Sequence, residues 1–188
     1  MPETLFRHPI FNVETFTDAE VHPTRTYVRL NMPDWVNVAA VTTAGALVLV
    51  VQHRFGIDAP TIEIPGGLMD PGESPSEAGM RELREETGYG GGTVMSLGWV
   101  HPNPAIQDNK TFLYAALGVE WLGPPEPDED EDITVHLLPL VQLPEWLRRG
   151  KITHSLALNT LDALMRHREV PAIAAAFEAS AALPRLAL

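Results

Sequence analysis

Three glutamates, Glu82, Glu85 and Glu86, stand at i, i+3 and i+4 of a segment between Ser74 and Gly88 that reads as a helix. That spacing aims all three carboxylates at one helix face. Bare like charges at i,i+4 cost about 0.2–0.5 kcal/mol per pair. A hard divalent cation removes that cost and takes oxygen ligands of this kind. On these residues alone a second reading stands beside it: a solvated acidic face balanced by Arg81 and Arg84, which is commonplace on helices.

The flanking residues define the element that carries the acids. Ser74-Pro75-Ser76-Glu77 has the form of a capping box, with Ser74 accepting from the orphan N–H groups, Glu77 reaching back, and Pro75 at the first helical position. Thr87-Gly88 is a stop, because glycine takes the left-handed cap without a Cβ penalty. Gly66-Gly67 makes a tight turn ahead of the helix.

Taken together, Gly67, Glu73, Arg81, Glu82, Leu83, Glu85, Glu86 and Gly88 form the pattern G-x5-E-x7-R-E-L-x-E-E-x-G. This resembles the Nudix box, the signature of hydrolases that cleave nucleoside diphosphates linked to another moiety. Tyr89 departs from it, since the family usually has an aliphatic residue there; a local packing adjustment is expected. The resemblance implies that Glu82, Glu85 and Glu86 hold Mg²⁺ or Mn²⁺ together with the Gly66 carbonyl. It implies that Glu73 and Arg81 pair to anchor the loop on the helix, and that Gly67 lets the backbone approach metal and phosphate. From spacing alone Arg81 also has Glu77 and Glu85 within reach, each four residues away.

Composition bounds the rest. The 188 residues, 45% apolar, suit one well-buried domain with additions, or at most two small ones. No cysteine is present, which excludes disulfides, thiolate catalysis and cysteine–metal sites. A net charge of −12 argues against a general nucleic-acid or anionic-membrane binder. It does not exclude a phosphorylated substrate, because bound divalent ions reverse the field of an acidic pocket. The longest apolar run, Ala46 to Val51, is too short to cross a bilayer, and no signal-peptide core is seen at the N-terminus, so a cytoplasmic protein is expected.

Along the chain, residues 1–23 show no strong period, and residues 24–31 read as a strand. In larger Nudix hydrolases such N-terminal strands help make a dimer, so residues 1–35 are expected to form an extension and the protein a homodimer. Residues 36–188 would form the hydrolase domain. Val36–Thr43 and Ala46–His53 read as a hairpin inside a mixed sheet. Arg54 follows at a strand end; it is either a solvated arginine or, as in ADP-ribose-type members, a ligand of the substrate phosphates. Short strands follow at 61–64, 93–100 and 110–119.

Between the last two, His101 to Asn109 forms a polar, proline-stiffened loop. Pro104 lies where ADP-ribose pyrophosphatases carry a proline. Asn103, Gln107 and Asn109 are candidates for sugar hydroxyls, though turn-forming amides are the commoner explanation of such residues. Five consecutive acids, Asp128 to Asp132, lead into a strand at 133–138. The tract reads as a solvated tip, but it is similar to the catalytic loop of the ADP-ribose pyrophosphatases, where a glutamate handles the attacking water. By position that residue is Glu129, with Glu131 in reserve. Helices follow at 143–150, 154–167 and 171–183; His154, near the start of the second, reads as structural.

The fold expected from the resemblance is α/β: the Nudix fold, a mixed sheet in an α/β/α sandwich, with a short N-terminal β extension and a C-terminal helix. The expected reaction is metal-dependent hydrolysis of the pyrophosphate bond of ADP-ribose or another nucleoside diphosphate sugar. Nucleoside triphosphates, dinucleoside polyphosphates and RNA 5′ ends are alternative substrates within the family. A non-catalytic nucleotide-binding regulator is the alternative of a different class, and it would be expected to have lost carboxylates that are all present here.

Overall fold

The computed structural model describes residues 2–127 and 132–186. The apolar strands behave as their period demands. β4 (Trp35–Thr42) and β5 (Ala46–Arg54) are buried on both faces, so they carry near-continuous aliphatic runs. They turn through Gly45, whose φ of 81° lies in the left-handed region; a Cβ there would fall 2.4 Å from the Ser180 backbone nitrogen. The hairpin closes at the pair Val41↔Leu47 and then splays. β5 goes on to pair with β6 (Ala59–Glu63) and β11 (Ile133–Pro139), while β4 pairs in parallel with β10 (Thr111–Trp121). β7 (Gly66–Leu68) adds to β4, β8 (Tyr89–Gly90) and β9 (Thr93–Val100) to β10.

Helices cover both faces of this mixed sheet, giving an α/β/α sandwich. Val36, Val38, Ala40 and Val48 face α1 (Pro75–Thr87) through Ala78 and Leu83. Their alternates Ala39, Val41, Leu47 and Leu49 pack on α3 (Ser155–Arg166) and α4 (Pro171–Ser180). In β10 a register shift between Leu117 and Val119 moves Val119 to the α1 face although its parity matches Leu117. Tyr89 is half-buried against the α1 cluster. A short α2 (Leu143–Arg148) precedes α3. Among the described residues no helix is long and apolar enough to cross a membrane.

A separate three-stranded antiparallel sheet, β1 (Glu3–Arg7), β2 (Asn12–Thr17) and β3 (Thr26–Asn31), precedes the sandwich. The sequence showed no period over β1 and β2 because nothing there requires one: β1 is exposed on nearly every residue. The loop after β9 docks this sheet. Leu30 N–H donates to the Ile106 carbonyl at 2.6 Å, and Asn31 Nδ2 to Asp108 Oδ2 at 2.9 Å.

Candidate active site

α1 begins and ends as its sequence requires. Ser74 and Glu77 make the reciprocal capping box, and Gly88 takes the left-handed cap at φ 76°, its N–H on the Arg84 carbonyl. Glu77 is therefore occupied at the cap, and Arg81 turns elsewhere. Its Nε and Nη2 donate to the two Glu73 oxygens, each at 3.1 Å, and Nη2 also donates to the Leu68 carbonyl at 3.0 Å. Nη1 donates to Glu82 at 3.0 Å and to Glu85 at 2.9 Å. Glu73 first, then Glu85 and Glu82, push the Arg81 guanidinium pKa well above its ordinary value. One arginine thus clasps the loop to the helix and answers part of the like-charge repulsion along the helix face.

The remaining acid, Glu86, is 2% exposed, and its Oε2 accepts from the Gly66 N–H at 3.0 Å. Gly67 lies against Glu82: an added Cβ would stand 2.6–2.8 Å from the Glu82 carboxylate atoms. The glycine pair is thus in direct contact with two of the three acids.

The same glycines border a cavity of about 610 Å³, within the ordinary range for a small-molecule site. Trp35, Val36 and Asn37 of β4 line it, as do Arg54 to Ile57 at the β5–β6 turn and Thr153 to Leu156 at the start of α3. Ile10 reaches it from the N-terminal sheet, and Phe55 stands at the turn, 83% exposed. Arg54, expected at a phosphate or in solvent, lines this cavity and is also bound by buried Glu63, with Nε and Nη2 each 2.7 Å from its oxygens.

Asn103, Gln107 and Asn109 do not line the cavity. The Asn103 carbonyl accepts from Ile106 and Gln107 in a turn, Gln107 Nε2 contacts Met32 Sδ at 2.9 Å, and Asn109 Nδ2 donates to the Pro33 carbonyl at 3.0 Å. All three hold the docking loop, and the segment they bind leads into β4. Glu129 and Glu131 lie outside the described residues. The chain before them is tied to α1: Leu122 N–H donates to the Gly88 carbonyl at 2.8 Å, Glu126 N–H to the Glu85 carbonyl at 2.7 Å, and Arg84 Nη1 to the Pro124 carbonyl at 2.9 Å.

Sequence reasoning passed over Glu63, Trp35, Phe55 and Ser155, and it read His154 as structural although His154 lines the cavity. A polar residue at a buried strand position was the available signal for Glu63; for the others no local pattern exists.

Among the described residues no group of three acidic or histidine side chains is gathered in metal-holding geometry. The donor chemistry nevertheless fits a hard divalent ion. The acids are all-oxygen donors, and two of them, Glu82 and Glu85, already converge on one positive nitrogen, Arg81 Nη1.

Comparison with known proteins bears on this arrangement. The ADP-ribose pyrophosphatase of Bacillus subtilis is 34% identical over 104 residues, 55% of this chain and 56% of that protein. The chain therefore spans little more than half the length of that relative. ADP compounds hydrolase NudE of Escherichia coli is 29% identical over 152 residues, 77% of this chain and 81% of that one. A crystal structure of an ADP compounds hydrolase superposes with a TM-score of 0.76 at 24% identity, over 90% of this chain and 92% of that one; this is a likeness of fold. Residues 33–156 match the family model of the NUDIX domain. That match takes in the sandwich from β4 to the start of α3, with the glycine turn and α1 inside it, and on that ground the chain belongs to the NUDIX domain family.

Proposed function

We propose that the protein hydrolyses the pyrophosphate bond of ADP-ribose or another nucleoside diphosphate sugar, giving a nucleoside monophosphate and a sugar phosphate. One observation carries this reading: Gly66 and Gly67 border the cavity and also touch the carboxylates of Glu86 and Glu82. A diphosphate held in the cavity would lie next to the acids. The names of the Bacillus and Escherichia relatives support the choice of substrate class.

Glu82, Glu85, Glu86 and the Gly66 carbonyl would hold Mg²⁺ or Mn²⁺. When bound, such an ion supplies charge neutralisation and a lowered pKa for the attacking water. Arg81 fixes the directions of Glu82 and Glu85, and Glu73 fixes Arg81. Arg54, steadied by Glu63, would bind an oxygen of a phosphate that stays intact. Glu129, or Glu131 in its place, would take the proton of the water.

A substrate screen tests the class. With Mg²⁺ present, released monophosphate is measured from ADP-ribose, GDP-mannose, UDP-glucose, diadenosine polyphosphates and nucleoside triphosphates. Diphosphate sugars are expected to turn over fastest. A higher kcat/KM for triphosphates overturns the assignment.

Gly67→Ala separates placement from folding. The new Cβ meets the end of the Glu82 side chain, which can swing aside, so the melting temperature is expected to stay near that of the wild type. The displaced carboxylate should lower turnover by about 10²-fold, the order expected of a 1 Å misplacement. Turnover within threefold of wild type would show that the position of Glu82 does not matter.

A further inference from the structure

Glu63, at the end of β6, is 1% exposed. Thr61 Oγ1 donates to its Oε1 at 2.5 Å, and Arg54 binds both oxygens. On Oε2 a third group closes in: His154 Nδ1 lies 3.1 Å away. Burial by itself raises the Glu63 carboxyl, but the hydrogen bonds from Arg54 and Thr61 outweigh it and hold the group below its ordinary range. Burial pushes His154 down in spite of the attraction of Glu63, so the ring is neutral near pH 7.

A carboxylate oxygen 3.1 Å from Nδ1 of a neutral ring favours the proton on that nitrogen, because the negative charge stabilises an N–H dipole over a lone pair there. Nε2 is then an acceptor. Nδ1 itself is buried and is not aligned for a hydrogen bond, so its contact with Glu63 is electrostatic, and the 27% exposure of the side chain comes from its other atoms. Although His154 is the N-cap residue of α3, its side chain makes no capping hydrogen bond. Helix capping therefore does not account for the residue. Arg54, Thr61 and His154 all border the cavity. A guanidinium donor beside a neutral imidazole acceptor is complementary to a phosphorylated sugar, which presents phosphate acceptors next to hydroxyl donors.

We propose that Glu63 is a positioning residue that holds the Arg54 guanidinium and the His154 imidazole together in the cavity wall, and that His154 is a recognition residue whose Nε2 accepts from a sugar hydroxyl of the substrate. This rests on the reading of the cavity as the nucleotide site.

Steady-state kinetics with ADP-ribose and Mg²⁺, together with metal-free calorimetric titration of ADP-ribose, test it on His154→Phe, Glu63→Gln and the double variant. His154→Phe is expected to raise KM and the metal-free Kd by about tenfold, the size of one lost hydrogen bond. Its kcat should stay within about threefold and its melting temperature near wild type, because no capping bond is lost. Glu63→Gln should act in the same direction. The double variant should be no worse than the more affected single one, because both substitutions disable the same contact. If Glu63→Gln does not fold, His154→Phe alone decides. A wild type that turns over ADP-ribose while His154→Phe keeps KM and Kd within twofold overturns the assignment, as do fully additive effects. A wild type that neither binds nor hydrolyses any nucleoside diphosphate sugar refutes the reading of the cavity, and this assignment falls with it.

Discussion

Glu86→Gln is expected to reduce Mg²⁺-dependent turnover by at least about 10³-fold, the order expected when a charged ligand of a catalytic metal is neutralised. The substitution is close to isosteric. The glutamine carbonyl still accepts from the Gly66 N–H, the bond that Glu86 makes at 3.0 Å, and the position is 2% exposed. The fold therefore keeps its local contact, and the melting temperature should change little in the absence of metal. What is lost is a negative charge buried beside the glycine turn. The half-saturating Mg²⁺ concentration should rise steeply, and excess metal should restore only part of the rate. Kinetics across a magnesium titration, with circular dichroism as the control for folding, make the measurement. Near-normal rates at low magnesium would remove Glu86 from the metal site.

Glu129→Gln is expected to lower kcat by about 10²–10⁴-fold, the contribution of a positioned base, while the half-saturating Mg²⁺ concentration stays within about twofold. The two variants thus separate holding a cation from moving a proton. The last tie to α1 before this tract is the bond from Glu126 N–H to the Glu85 carbonyl. The flattening of the alkaline-rising limb of the pH–kcat profile is the second readout, since a lost base removes that limb. If Glu131→Gln is the slow variant and Glu129→Gln is not, the base is two residues further along the loop.

Much of the glycine turn and α1 was legible before any fold was known. Ser74, Glu77 and Gly88 act within one helical turn of themselves, so the sequence neighbourhood contains all the physics of the caps. The i, i+3, i+4 acids share a face for the same reason. One choice there was left open by spacing alone: Arg81 had Glu77 and Glu85 at equal separation, and it takes Glu85 because Glu77 is consumed by the capping box. The Glu73–Arg81 pair, which the family resemblance implied, is present as well.

The docking loop shows the opposite case. Asn103, Gln107 and Asn109 carry side chains suited to sugar hydroxyls, and residue type could not reveal that Gln107 would meet Met32, that Asn109 would bond Pro33, and that Asn103 would enter a turn through its main-chain carbonyl. Arg54 was likewise undecided between solvent and phosphate. It is bound by Glu63, across the β5–β6 turn, whose only mark in the sequence is an acid set inside an apolar strand.

The sequence by itself determined the apolar strands of a mixed sheet and the acidic helix, because aliphatic runs and a doubly capped helix are written in residues next to one another, and the sandwich followed from the family resemblance. Only the tertiary structure decided what lies beside that helix. β4, the β5–β6 turn and the start of α3 are distant in sequence, and packing on the two faces of one sheet brings their side chains around a common space. Such a meeting depends on distances through space, which residue order does not encode locally, and it makes a wall residue of the histidine that chain position marked only as the start of a helix.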